Sequence, residues 1–289
     1  MSQRGIGFSL IILSAVVFGM IPLIVRSVND CGSNSIMTSF LRFALSLIPL
    51  YISVRAKGAS LAITKSEAAK ILLIAVCGFG GTSVLLFLSY NFIPSGMATT
   101  IHFVYPVVVI LGSVIFLKQK LSRLKLLCVA LCFGGILLFY NGGDGTLDPL
   151  GMLFAFASGI TYSFYIVYLD FSGLAKMEPT RMIFYMNTFS ALMVGSLAVA
   201  TGSFTLDISL KGWILALLLA ISVSFLAVRS FQMGVRYIGP QNAAILSTFE
   251  PITSLVVGIL VYQEALTAAG IAGCVLILSS VVITARMEE

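Results

Sequence analysis

Formal charge is what this chain has least of. Lys, Arg, Asp and Glu make up 10% of its 289 residues against 59% hydrophobic side chains, and the mean hydropathy is +1.07. A soluble domain of this length must cover a large surface with polar groups and carries roughly a quarter of charged residues, so that class is excluded. Histidine occurs once, at His102. A nucleophile–base pair or a ligand cluster has little to be built from, which argues against an intramembrane enzyme and against any cofactor. The five cysteines make no disulfide framework, because Cys77, Cys128, Cys132 and Cys274 fall in apolar stretches and only Cys31 in a loop. Cys128 and Cys132 sit four apart on one helix, but no His or carboxylate lies near them in sequence. Packing of small thiols between helices is the better reading than a metal pair. Asn141-Gly142-Gly143-Asp144-Gly145 is not followed by Lys-Ser/Thr, and no Walker motif occurs elsewhere, so this chain alone does not pump with ATP.

What is present is a series of apolar stretches about twenty residues long, the length a helix needs to cross roughly 30 Å of hydrocarbon. Between Lys70 and Lys118 no formally charged residue occurs, and a turn signal around Asn91 to Gly96, with Pro94 inside it, divides that run in two. The same reading along the chain predicts an all-α integral membrane protein with ten transmembrane helices. They are expected near 6–25, 35–54, 71–90, 95–117, 124–141, 149–169, 181–201, 212–235, 239–261 and 267–286. The first apolar run is too long for a cleaved signal peptide and leads into Pro22 and Arg26, so it is expected to remain as a span.

The basic residues set an orientation. Arg4, Arg55, Lys57, Lys65, Lys70, Lys118, Lys120, Arg123, Lys125, Lys176, Arg181, Arg236 and Arg286 fall on one side, Arg26 and Lys211 on the other, and Arg42 and Arg229 within spans. Thirteen against two predicts both termini in the cytoplasm. The net charge of +6 is thereby explained by topology, without a nucleic-acid partner.

A shift of about 145 residues brings the halves into register: Ala98 falls on Ala243, Pro106 on Pro251, Leu121 on Leu266 and Ser122 on Thr267. Gly7 and Ser14 fall one residue off that shift, near Gly151 and Ser158. Five spans per half, 1–143 and 144–289, force the second copy upside down. The charges agree, since Lys118, Lys120, Arg123 and Lys125 follow the fourth span while Gln263 and Glu264 follow the ninth. Inverted repeats of this kind build alternating-access carriers, with the site near the midplane where Pro or Gly interrupts helices.

Leu41-Arg42-Phe43 in the second span, Phe249-Glu250-Pro251 in the ninth and Glu264 at its end, together with the doubled five-helix plan, resemble the drug/metabolite transporter superfamily and within it the EamA-type exporters. The likeness covers essentially the whole chain. It implies a secondary transporter of small organic metabolites in a bacterial cell (inner) membrane, with amino acids or related compounds as substrates, working as a monomer in the lipid bilayer. One departure is Lys118-Gln119-Lys120, where such proteins often carry an acidic residue after the fourth helix.

Several polar residues within spans are candidates for the transport chemistry. Glu250 reads as a proton or substrate-amine site, or else as part of a structural ion pair or a hydrogen bond to kinked backbone. Pro106 and Pro251 each free a carbonyl one turn earlier and predict gating kinks. His102 is a candidate for proton coupling, because an imidazole ordinarily titrates near neutral pH, although a lone buried histidine is more often held in place by hydrogen bonds. Arg42 is assigned a structural or gating role ahead of direct contact with a substrate carboxylate; Asn187 occupies its place in the second half. Tyr162 and Tyr165 share a face of the sixth span with Ser158, as a cavity wall for aromatic or cationic solutes or as helix packing. Gln232, Tyr90 and Asn91 are further polar candidates. Organic-cation or drug efflux with Glu250 as counter-charge is the alternative function, and a channel the other class.

Overall fold

The computed structural model describes residues 3–56, 58, 60–105, 107–109, 111, 123–141, 148–174, 177–247, 249–264 and 267–287. Pro106, the Lys118–Lys120 segment, the Gly142–Gly145 loop and the side chains of Gln232 and Cys132 lie outside what is described.

Among the described residues all regular structure is helical: α1 Gln3–Gly19, α2 Ile21–Asn29, α3 Ser35–Ala56, α4 Lys65–Ile74, α5 Gly81–Ser89, α6 Ser95–His102, α7 Arg123–Asn141, α8 Pro149–Phe171, α9 Pro179–Ala200, α10 Leu210–Leu219, α11 Val228–Ser247, α12 Phe249–Tyr262 and α13 Ala268–Met287. Two π-helical segments, Ala75–Gly80 and Ala220–Ala227, join α4 to α5 and α10 to α11. Among the described residues six continuous runs are long and apolar enough to cross a membrane: Gln3–Asn29, Ser35–Ala56, Lys65–Ser89, Pro149–Leu169, Pro179–Ala200 and Leu210–Phe231. Ser95–Val109, Leu126–Leu138, Phe249–Tyr262 and Ala268–Ser280 are shorter apolar helices.

The exterior fits lipid rather than water. Ile48, Phe171, Val199, Leu210 and Leu260 are each at least two-thirds exposed, whereas Ser14, Ser39, Ser46, Ser158, Asn187, Ser224 and Ser254 lie inside with at most 3% exposure. Each buried hydroxyl finds a partner because hydrocarbon offers none. Ser14 donates to Ala227 O at 2.9 Å and Ser190 to Ala75 O at 3.4 Å, so a serine from a neighbouring helix meets a carbonyl of each π-helical segment.

Close helix approaches depend on glycine. α1 lies along α11 with Gly7 against Ile238, and α8 packs on the first π-helical segment with Gly78 against Tyr165. α7 crosses α13 at Gly135, where an added methyl would come within 2.7 Å of Gly273 O, and α6 crosses α12 at Gly96, where it would meet Leu255 Cα at 2.7 Å. α3 and α9 form a further extensive pair.

The breaks differ from the sequence reading in several places: α6 stops at His102 where one helix over 95–117 is expected, and α11 runs through the expected loop between 235 and 239. The first span is α1 plus α2, divided at Met20 because Pro22 sits in the first turn of α2, where a missing N–H costs nothing. The expected ninth helix over 239–261 is divided too: α11 runs to Ser247 and α12 starts at Phe249. Pro251 and Glu250 therefore stand in the first turn of a 14-residue helix rather than inside a long one.

Candidate functional site

Arg42 is fixed by three elements. Its own helix, α3, carries it to a buried position, 8% exposed. Its Nη1 donates to Ser83 Oγ of α5 at 3.3 Å and its Nε to Ser224 Oγ in the second π-helical segment at 3.4 Å. The guanidinium carbon lies 5.2, 5.6 and 5.9 Å from the ring centres of Phe43, Phe79 and Phe87. A cation inside a bilayer survives only with such company. Two of its five N–H donors are taken by the hydroxyls, which leaves donors for a bound solute.

Glu250 faces the same region from the first turn of α12. Arg42, Tyr90, Tyr105 and Tyr162 each interact with it electrostatically. Among the described residues the one ion pair is Arg26–Glu264, so Arg42 and Glu250 form no salt bridge with each other. The first turn of α12 also lends the carboxylate the positive end of the helix dipole. Gly19, at the end of α1, lies against the backbone of this turn: a methyl there would overlap Thr253 Cβ and Glu250 O.

Aromatic rings connect these groups. His102 stands 5.5 Å from Tyr162, which meets Tyr105 edge-on at 4.8 Å and Tyr165 at 5.5 Å. Tyr165 continues to Phe79 at 5.8 Å, and Phe79 to Phe43 at 5.4 Å. On the other side of Arg42, Phe87 stacks on Tyr90 at 6.0 Å. Such a wall is polarisable, and its ring faces attract cations and π-systems.

His102 closes α6, and its Nδ1 lies 2.9 Å from Ser158 Oγ of α8. Ser158 itself donates to Ala155 O at 2.6 Å, so it accepts from His102, and the histidine proton is assigned to Nδ1. The helix ends here because Pro106, four residues on, has no N–H for the His102 carbonyl. Gly159 faces that carbonyl, where a methyl would come within 2.8 Å of it.

Of the residues singled out from sequence, Arg42, Glu250, Tyr162, Tyr165, Tyr90 and His102 are thus brought together, Pro251 among them as Glu250's neighbour. Asn187 is not. It is fully buried between α3 and α9, accepting from Ser46 at 3.1 Å and donating to Ile183 O at 2.8 Å. Asn91 accepts from Ser35 Oγ at 3.3 Å. Sequence reasoning missed Ser83, Ser224, Phe79 and Tyr105. Tyr105 carried a signal, since it precedes Pro106; single serines and a phenylalanine among many carry none.

The EamA-like transporter family profile matches residues 5–141 and again 149–286. An uncharacterized transporter of Archaeoglobus fulgidus is 27% identical over 286 residues, 97% of this chain and 96% of that one. The uncharacterized inner membrane transporter YedA of Escherichia coli is 23% identical over 188 residues, 65% of this chain and 60% of YedA. A solved crystal structure superposes with a TM-score of 0.68 at 16% identity, covering 99% of this chain and 98% of that chain, which supports the fold. With buried charge, an apolar exterior and a family match along nearly its whole length, this chain belongs to the EamA-like transporter family, a membrane transporter of the drug/metabolite superfamily.

Proposed function

We propose that the chain is a secondary transporter that exports a small organic metabolite by alternating access, and that the solute binds between Arg42 and Glu250. The observation that carries this reading is the pair itself: a guanidinium and a carboxyl within electrostatic reach in the protein interior, with no salt bridge between them, beside Tyr90, Tyr105, Tyr162 and Tyr165. Ionising both groups there is costly unless something with complementary groups completes them. An amino acid or a close relative does so, its carboxylate toward Arg42 and its ammonium toward Glu250.

The reading includes ten transmembrane helices in two inverted halves, 1–143 and 144–289, with both ends in the cytoplasm of a bacterial inner membrane and one chain sufficing. Three features support a two-fold repeat, which an odd number of spans per half would invert. The family profile matches twice. The two π-helical segments begin at Ala75 and Ala220, the separation of 145 residues found in the sequence repeat. The packing of the first span on the eighth is mirrored by that of the sixth on the third, as a two-fold axis in the membrane requires.

Organic-cation efflux is the second reading, favoured by the same ring faces with Glu250 as sole counter-charge. Flux of zwitterionic amino acids and of quaternary amines into proteoliposomes separates the two, with wild type and Glu250→Gln compared. Zwitterion flux that falls in Glu250→Gln supports the proposal. Amine flux without zwitterion flux overturns it.

A further inference from the structure

At the face where α2 ends and α6 begins, four residues form a compact cluster. Arg26 Nη1 lies 2.6 Å from Glu264 Oε1. The same oxygen accepts from Ser95 N at 3.1 Å and from Ser95 Oγ at 3.1 Å, so it also caps the start of α6. The Arg26 guanidinium lies 3.9 Å above the ring of Tyr262, whose hydroxyl donates to Leu23 O at 3.0 Å. Glu264 is only 10% exposed in its side chain, whereas Arg26 is 34% exposed. The turn that presents the carboxylate is specific: Gln263 adopts φ +50°, and Glu264 N returns to Gly258 O at 3.1 Å. A methyl at Gly258 would overlap the carboxylate.

The three anchoring elements do not belong together in sequence. Arg26 and Ser95 stand in the first half and Glu264 in the second, and α6 and α12 are the helices that cross at Gly96. At the repeat-related positions, 145 residues away, the chain has Phe171, Pro240 and Gln119, among which no ion pair is possible. Polar ties at the other end join other elements: Arg181 and Tyr185 of α9 to the 60–62 loop, and Lys70 of α4 to Ser172 O. The α3–α9 pair is tied at this end as well, through Asn34 to Ser203 O and Ser209 N to Cys31 O. Among the described residues the ionic cluster has no repeat-related counterpart.

We propose that Arg26, Glu264 and Ser95 form a one-sided clasp that fastens the outer mouth between α6 and α12 and must open in each cycle. A carrier fastened on one face and not on the other rests closed to that face and loads from the opposite one. This inference rests on the alternating-access reading.

The test uses full-length protein in membrane vesicles with the five native cysteines replaced and a reporter at Thr99→Cys, one turn inside the clasp on α6 and 2% exposed. A membrane-impermeant methanethiosulfonate is applied to right-side-out and to inside-out vesicles. Glu264→Gln and Arg26→Met are each expected to speed labelling from the outer side about tenfold, equivalent to ~1.4 kcal/mol. The double variant is expected to be no faster than the faster single, because both cut the same contact. Gly258→Ala keeps both charges, displaces the carboxylate and is expected to speed labelling too. Rates unchanged in these variants, or multiplying in the double, overturn the clasp. If the clasp alone is wrong, the reporter still responds to transported solute. If alternating access is wrong, it ignores solute in every background.

Discussion

Arg42→Lys keeps the charge in the chamber and removes the shape that places it. The guanidinium reaches Ser83 and Ser224 at once, at 3.3 and 3.4 Å, while lying against three phenylalanine rings. An ammonium has its three donors on one atom, so it cannot reproduce the two separate nitrogens that meet Ser83 and Ser224 or offer a planar fork to a carboxylate. Losing one long hydrogen bond removes about 1 kcal/mol, and losing planar contact with the rings about 1 kcal/mol more. Some 2 kcal/mol of positioning corresponds to about a 30-fold change in an equilibrium constant. Counter-flow in proteoliposomes, with labelled solute outside and saturating unlabelled solute inside, reads this as a KM raised about 10- to 30-fold in Arg42→Lys. Arg42→Met is expected to be worse. A KM equal to wild type in Arg42→Lys, with only the thermal midpoint lowered, would show that Arg42 pins helices without meeting the solute, and would refute the reasoning.

Three further outcomes follow from the same geometry. Tyr162→Leu removes ring contacts to Tyr105, Tyr165 and His102 and should cost about 1–3 kcal/mol in solute affinity; a wild-type KM measured for an aromatic substrate would argue against the wall. Ser158→Ala leaves the buried His102 Nδ1–H without its acceptor and should destabilise the protein by about 1–3 kcal/mol in a detergent thermal-shift assay, with Ser158→Thr partly restoring it. Gly135→Ala forces a methyl toward Gly273 O and Ile277 and should lower the unfolding midpoint while leaving KM unchanged, since neither α7 nor α13 carries a residue of the Arg42–Glu250 group.

Much of the fold is legible in the sequence, because the bilayer imposes length and polarity on every span. Stretches such as 35–54, 149–169 and 181–201 coincide with α3, α8 and α9 to within a few residues. What composition cannot register is local backbone geometry. Nothing in the composition of Ala75–Gly80 or Ala220–Ala227 distinguishes a π-helical turn from an α-helical one, since either can be built from small and apolar residues. The division before Phe249 was half legible: Pro251 announces a break, but whether a proline kinks a helix or starts one depends on what packs beside it, here Gly19.

The candidate site divides along the same line. Charged residues inside a span stand out by their cost, so Arg42 and Glu250 were visible, and tyrosines at helical spacing indicated Tyr162 and Tyr165. Ser83 and Ser224 were not, because a serine's role is set by what it faces across 41 and 182 residues of chain. Asn187, chosen as the partner of Arg42 in the repeat, satisfies itself within the α3–α9 pair instead. Glu264 was noticed as a family feature, while its bond to Arg26, 238 residues away, required the fold.

The account depends on the second half lying inverted with respect to the first, which makes one chamber reachable from either side. Single cysteines at Lys120 and at Gln263, repeat-related to within two residues, test it most directly in intact cells with an impermeant thiol reagent. Labelling of the Gln263 position from outside and of the Lys120 position only after the membrane is opened is the predicted result. Labelling of both from the same side would contradict it.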